Sequence, residues 1–122
     1  SYSNFEYKNL EISRETLSEG ETIYISFQLT NKSDRQGEEV AQLYISHLNS
    51  AIDRPLKELK AFRRIDLRPG ETKKITLSLK AEDLEYWDTK SNSFQLEEDQ
   101  IEIQVGSASN QIYLTKPLNI KN

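Results

Sequence analysis

The sequence predicts an all-β protein, an antiparallel sandwich of about seven or eight short strands forming one domain. Three observations predict it. Apolar residues recur with a period of two along the whole chain, the spacing at which successive strand side chains point to opposite faces of a sheet. Clusters of turn-forming residues interrupt those runs at regular intervals, and a helical hint is confined to Ala81 to Asp88. At 122 residues, one core is expected and two are not, because a chain of this size buries about two-thirds of its unfolded surface.

In the first strand Phe5 and Tyr7 take one phase while Leu10 and Ile12 take the other, so an extra residue must bulge near Asn9. Ser18-Glu19-Gly20 supplies a turn. Thr22 to Thr30 sets Ile23, Ile25, Phe27 and Leu29 on one face and Tyr24, Ser26 and Gln28 on the other, which describes a half-buried strand. After a polar break from Asn31 to Gly37, Ala41, Leu43 and Ile45 repeat the pattern. Between Lys57 and Leu67, the residues Leu59, Ala61, Ile65 and Leu67 share one parity. Arg68-Pro69-Gly70 should close a tight turn, since proline presets φ and glycine accepts a positive one. Ile75, Leu77 and Leu79 then alternate again. Ala81 to Asp88 reads as a crossing between sheets, with Tyr86 as a corner tyrosine whose hydroxyl bonds upstream backbone. Lys90 to Ser93 is a turn, Ile101, Ile103 and Val105 a strand, Gly106 to Asn110 a hairpin turn, and Ile112 with Leu114 the last strand. Two stacked sheets, as in immunoglobulin and fibronectin type III sandwiches, hide this many half-apolar faces. No linker or internal repeat divides the chain, so residues 1–122 read as one domain.

Sixteen basic and 20 acidic residues give a net charge of −4, with the signs interspersed. No basic stripe is present for nucleic acid or for anionic lipid. The sequence holds no apolar run of about 18 residues and no basic-then-apolar leader, so neither a membrane span nor a signal peptide is expected within it. Zero cysteines rule out disulfides and thiolate metal sites, and fit the cytosol or a bacterial periplasm equally.

The residues for catalysis are missing or undistinguished. His47 is the sole histidine, with no cysteine, no serine elbow and no second histidine near it in sequence, and it reads as a solvated loop residue. Glu97-Glu98-Asp99 lacks the alternating ligands and glycine of a calcium loop and reads as a solvated turn. Gly106-Ser107-Ala108-Ser109 has no lysine after it and no helix to complete a phosphate site. No catalytic, cofactor-binding or metal-ligating residue is assigned. Among the aromatics Tyr24, Tyr44, Tyr86, Trp87 and Tyr113, sugar stacking competes with burial in sheets and corners. Phe62 stands apart: unless a bulge intervenes, it lies on an outer face between Lys60 and Arg64, where a charge-rimmed aromatic marks a docking surface.

Several segments together carry a family likeness. Gly37, Glu39-Val40 and Gln42-Leu43-Tyr44 are followed by Arg54-Pro55, Lys57-Glu58-Leu59, Phe62 and Arg64; then come Leu67, Pro69-Gly70-Glu71, Asp83-Leu84 with Tyr86, and Val105 to Ser109. In this order and spacing they resemble the fibronectin type III-like domain at the C-terminus of family 3 glycoside hydrolases. Ser1 to Tyr7 resembles the stretch by which such enzymes enter that domain, so the resemblance implies a fragment excised from a longer polypeptide. Two departures are local: Ala61 stands where the family commonly has glycine, and Glu98-Asp99 where it often has Pro-Gly.

The resemblance implies a parent that removes β-linked sugars from glycan ends with retention, as a β-glucosidase or β-xylosidase, by a carboxylate pair lying in other domains. It also implies periplasmic or extracellular residence. For this segment it implies an accessory role, packing against the catalytic domains of its own chain, with Arg54, Pro55, Lys57, Glu58, Phe62 and Arg64 as the expected contact. Arg54-Pro55 fixes an extended approach to that surface. The main alternative is a carbohydrate-binding module that tethers the enzyme to glycans through Tyr86 and Trp87. An adhesion domain is a third reading, because fold alone does not fix function.

Overall fold

The computed structural model describes residues 4–122; Ser1, Tyr2 and Ser3 of the entry stretch lie outside the described residues. The alternating runs become strands in this order: β1 (Phe5–Ile12), β2 (Thr16–Leu17), β3 (Thr22–Asn31), β4 (Gly37–His47), β5 (Glu58–Leu67), β6 (Thr72–Lys80), a 3-10 turn (Ala81–Leu84), β7 (Tyr86–Asp88), β8 (Ser93–Gln95), β9 (Asp99–Ala108) and β10 (Gln111–Ile120). One sheet is ordered β1-β3-β6 and the other β2-β10-β9-β4-β5, while among the described residues β7 and β8 pair only with each other. The pairings are antiparallel except for the short parallel contact of β2 with β10.

The predicted inward residues form the core. Ile23, Ile25, Phe27 and Leu29 of β3, with Ile75, Leu77 and Leu79 of β6, meet Ala41, Leu43 and Ile45 of β4 and Ile101, Ile103 and Val105 of β9 in one buried cluster. Each such branched side chain contributes about 1.5–3 kcal/mol by leaving water. Leu118 and Ile120 extend the inward phase of β10 beyond Leu114. Pro117 sits in that strand opposite Glu102, where β2, pairing only at Asn119 and Ile120, leaves its other side free and no ladder donor is needed.

The bulge expected near Asn9 is present: the β1–β3 register shifts between Lys8 and Glu11, and Asn9 has φ 59°, a left-handed conformation that a short polar side chain tolerates. Two turns share one construction. In Ser18–Glu21 and Arg68–Glu71 the fourth residue's N–H bonds the first residue's carbonyl at 3.0 Å. The glutamate carboxylate accepts the first residue's N–H at 2.8 Å in both. Gly20 and Gly70 take φ 81° and 74°, as the third position of a type II turn demands.

Four expectations need correction. The helical hint shrinks to Ala81–Leu84, and the rest of that segment becomes β7, paired with β8 through Trp87 opposite Phe94. Tyr86 is no corner tyrosine: among the described residues its hydroxyl bonds no upstream backbone, and its ring instead lies under Arg54, 5.5 Å from the guanidinium carbon to the centroid. The turn after β9 is only Ser109-Asn110, and Gly106 belongs to the strand. Gly106 is needed for close approach, since a Cβ there would lie 2.0 Å from the Gln111 carbonyl oxygen, at a register break of β10. Finally, a bulge does interrupt β5. Leu43 opposes Ala61 but Tyr44 opposes Leu59, so Lys60 is the extra residue and Leu59 turns outward, 48% exposed.

Candidate contact surface and the clasp beside it

Because of the Lys60 bulge, Leu59 joins Phe62 on the outer face of the five-stranded sheet, opposite Tyr44 and Gln42 respectively. Phe62 is 61% exposed. Arg64 stays on that face and pairs with Glu38 at 3.1 Å. Glu58 meets Lys60 at 3.4 Å, and the Lys60 ammonium donates to the Asp83 carbonyl at 2.7 Å. Lys57 donates to the Ser109 carbonyl at 2.8 Å and lies over the Tyr44 ring, a cation–π contact. Pro55 is exposed. Arg54 is placed differently from its neighbours, because its side chain turns inward and is 10% exposed.

Arg54 belongs to a polar clasp that the sequence did not disclose. Its guanidinium contacts Glu97 at 3.1 Å and the Ser50 hydroxyl oxygen at 3.0 Å. Glu97 also accepts from the Ser50 hydroxyl at 2.6 Å and from the Ala51 N–H at 2.8 Å. Burial alone would push the Glu97 carboxyl up, but these donors outweigh it and hold the pKa below the ordinary value. Next to it, His47 Nδ1 lies 3.0 Å from Asp99 Oδ2, with side chains 4% and 0% exposed, and Asp99 also accepts the Asn49 N–H at 2.9 Å. The reading of His47 as solvated is therefore wrong, and in the acidic run only Glu98 is solvated, since Glu97 and Asp99 turn into the clasp. The partners lie some fifty positions apart in sequence, and only the β4–β9 pairing brings His47 opposite Ile101 and hence beside Asp99.

Burial, and then the positive charge of Arg54, lower the His47 pKa against the opposing pull of Asp99. The neutral ring donates from Nδ1 to Asp99, which leaves the buried Nε2 as an acceptor without a partner. A histidine oriented by an aspartate is half of a nucleophile-activating arrangement. The other half is missing among the described residues, where no hydroxyl bonds Nε2 and Ser50 Oγ is engaged by Glu97. Ligand atoms of His47, Glu97 and Asp99 lie within 4.8 Å of one another, but Arg54 already neutralises Glu97, and a metal ion there would have to displace it.

At the far end of β4, the Tyr7 hydroxyl donates to Glu39 at 3.0 Å. Burial raises the pKa of both groups, and the Glu39 charge raises that of Tyr7 further. Tyr7 stacks on Phe27 and Tyr113, so this pair is also part of the packing. Tyr86 and Trp87 fall on opposite faces of the β7–β8 hairpin, as neighbours on a strand must. Trp87, 50% exposed, meets Phe94, 64% exposed, edge to face with centroids 5.1 Å apart.

An antiparallel sandwich of three and five strands, with no assembled nucleophile or acid–base pair among the described residues, defines a β-sandwich module. Residues 39–109 match the model of the fibronectin type III-like domain, and the chain belongs to that family. It is 30% identical over 122 residues to thermostable beta-glucosidase B of Acetivibrio thermocellus, covering 100% of this chain and 16% of the relative. It is 32% identical over 87 residues to the periplasmic beta-glucosidase of Salmonella typhimurium, covering 71% and 11%. The solved GH3 beta-glucosidase of Bifidobacterium adolescentis superposes with a TM-score of 0.88 at 28% identity, over 98% of this chain and 17% of that one. The chain thus spans less than a fifth of the length of each of these three relatives.

Proposed function

We propose that this chain is a single non-catalytic accessory domain of a secreted family 3 glycoside hydrolase, a β-glucosidase or β-xylosidase. It lies C-terminal to the catalytic domains of its own polypeptide and packs against them through the outer face of the five-stranded sheet. The observation that carries the reading is the paired exposure of Phe62 and Leu59 on that face, brought about by a bulge that costs β5 its regular pairing. The small share of each relative that the chain spans supports a role inside a larger enzyme. The name of the Salmonella relative supports periplasmic or extracellular residence. In the expected contact, Phe62 is the apolar centre and Arg64 its charged rim, while Arg54 supports the approach loop from within. Phe62→Ala in the full-length enzyme should lower its thermal midpoint or its turnover; if both stay at the parent's values, the surface has been misassigned.

One observation favours the carbohydrate-binding reading. Trp87 and Phe94 form an exposed right-angled aromatic corner of the kind that receives a pyranose ring. Calorimetric titration of the domain with β-glucan or xylan oligosaccharides tests it: heat lost on Trp87→Ala supports a sugar site, and no heat at millimolar sugar removes it.

A further inference from the structure

The loop between β4 and β5 is built inside out. Its charged neighbours Arg54, Glu97, His47 and Asp99 have side chains 10%, 14%, 4% and 0% exposed, whereas Leu56 is 92% exposed. Solvated loops show the reverse arrangement. Nor is Leu56 loosely held. The Leu48 N–H bonds the Gln100 carbonyl at 2.9 Å, Asn49 and Ala51 are tied to Asp99 and Glu97, and the Leu56 carbonyl accepts from the Ser46 hydroxyl at 2.9 Å. Ser46 follows the inward Ile45, so it stands on the outer face, and this bond sets the backbone of Leu56 on the same side of the sheet as Phe62. The loop thus packs its Arg54 into a covered cluster with His47, Glu97 and Asp99, and the same bonds fix the backbone from which Leu56, the more exposed of the loop's two leucines, projects.

We propose that Leu56 is a pre-organised anchor that inserts into an apolar pocket on the remainder of the same polypeptide, and that Arg54–Glu97 and His47–Asp99 are the positioning pairs that keep it aimed. This rests on the accessory-domain reading and names its contact. Area decides between a free partner and a tethered one. A specific interface between separate proteins needs about 1,000 Å² or more, far beyond one leucine with the small Phe62–Leu59 patch. A covalently attached neighbour faces the loop at millimolar effective concentration, and there a single well-held anchor is sufficient.

The test uses Leu56→Asp and Phe62→Ala in the full-length polypeptide, with the 122-residue chain as a control. Leu56→Asp should lower the full-length midpoint by about 2–4 °C and leave that of the 122-residue chain within about 1 °C. Glu97→Gln should lower the full-length midpoint more when Leu56 is present than when it is aspartate, because a positioning pair acts through the residue it aims; equal losses in both backgrounds would mean that the clasp is merely structural and would overturn its assigned role. If Leu56→Asp is silent while Phe62→Ala lowers the midpoint, the anchor is refuted and the accessory reading stands. Silence from both removes the accessory contact and the anchor together.

Discussion

The two ends of β4 bury acids in contrasting ways. Glu39 and His47 are eight positions apart, about 26 Å along an extended strand. At the first end the carboxyl faces a neutral phenol, Tyr7, and burial wins, so its pKa rises. At the second, Glu97 and Asp99 are met by a guanidinium, backbone N–H groups and an imidazole, and donors win at Glu97. The difference shows that burial and the donors a covered carboxylate meets together decide the sign of its shift. It also separates the roles: the Tyr7–Glu39 pair fills space inside the sandwich, whereas the His47 end organises a loop that faces outward.

The contrast can be broken most severely at Asp99. Asp99→Ala leaves His47 Nδ1 and the Asn49 N–H without their acceptor, and should cost about 2–4 kcal/mol in urea unfolding. Next in size are two matched substitutions expected to differ in sign. Glu97→Gln weakens three charge-assisted bonds and should cost about 1–3 kcal/mol at pH 7, while Glu39→Gln keeps an acceptor for Tyr7, removes a burdened charge, and should be neutral or slightly stabilising.

Acid separates the ends further. The folded pKa of His47 is depressed, so its contribution is complete above the unfolded value near 6.5 and is lost as pH falls through the folded value. The folded pKa of Glu39 is raised, so its favourable contribution is complete below the ordinary 4.5 and fades as pH rises through the folded value. Stability measured from pH 7 down to 5 should therefore drop less in His47→Gln than in the parent, and more in Glu39→Gln. The smallest effect is expected at Phe62, which touches neither end. In the 122-residue chain Phe62→Ala should shift stability by no more than about 0.5 kcal/mol, and a larger loss would mean that the ring already packs within the domain.

Much of the architecture could be read directly, because strand alternation is a local signal and the long runs of β3, β4, β6 and β9 carried it. Even the irregularity at Asn9 was visible, since Phe5 with Tyr7 and Leu10 with Ile12 cannot share a phase without an extra residue. The bulge at Lys60 was not, for Leu59, Ala61, Ile65 and Leu67 share one parity in sequence, and only the ladder against β4 breaks it. The clasp was hidden for a related reason. A lone histidine and a run of acids look solvated until β9 is laid beside β4, and no nearest-neighbour pattern encodes that meeting. Asn31, expected in a turn, is fully covered and bonds the Arg35 and Leu67 carbonyls, again through a partner far along the chain. Trp87 and Phe94 escaped as a pair because β7 and β8 have three residues each, too few for alternation to declare itself.

The twin turns at Gly20 and Gly70 bear on how quickly the chain finds this arrangement. Each closes within four residues and launches a strand, one β3 and the other β6, which later zip together from Thr22–Lys80 to Thr30–Thr72. Segments this short close in well under a microsecond, far sooner than ends fifty residues apart can meet. Both turns carry the chain from the five-stranded sheet to the three-stranded one, β2 to β3 and β5 to β6. Each is thus closed by neighbours in sequence, while the strands it delivers pair across 42 to 58 positions (Thr30–Thr72 to Thr22–Lys80), a separation that makes their meeting the costlier closure.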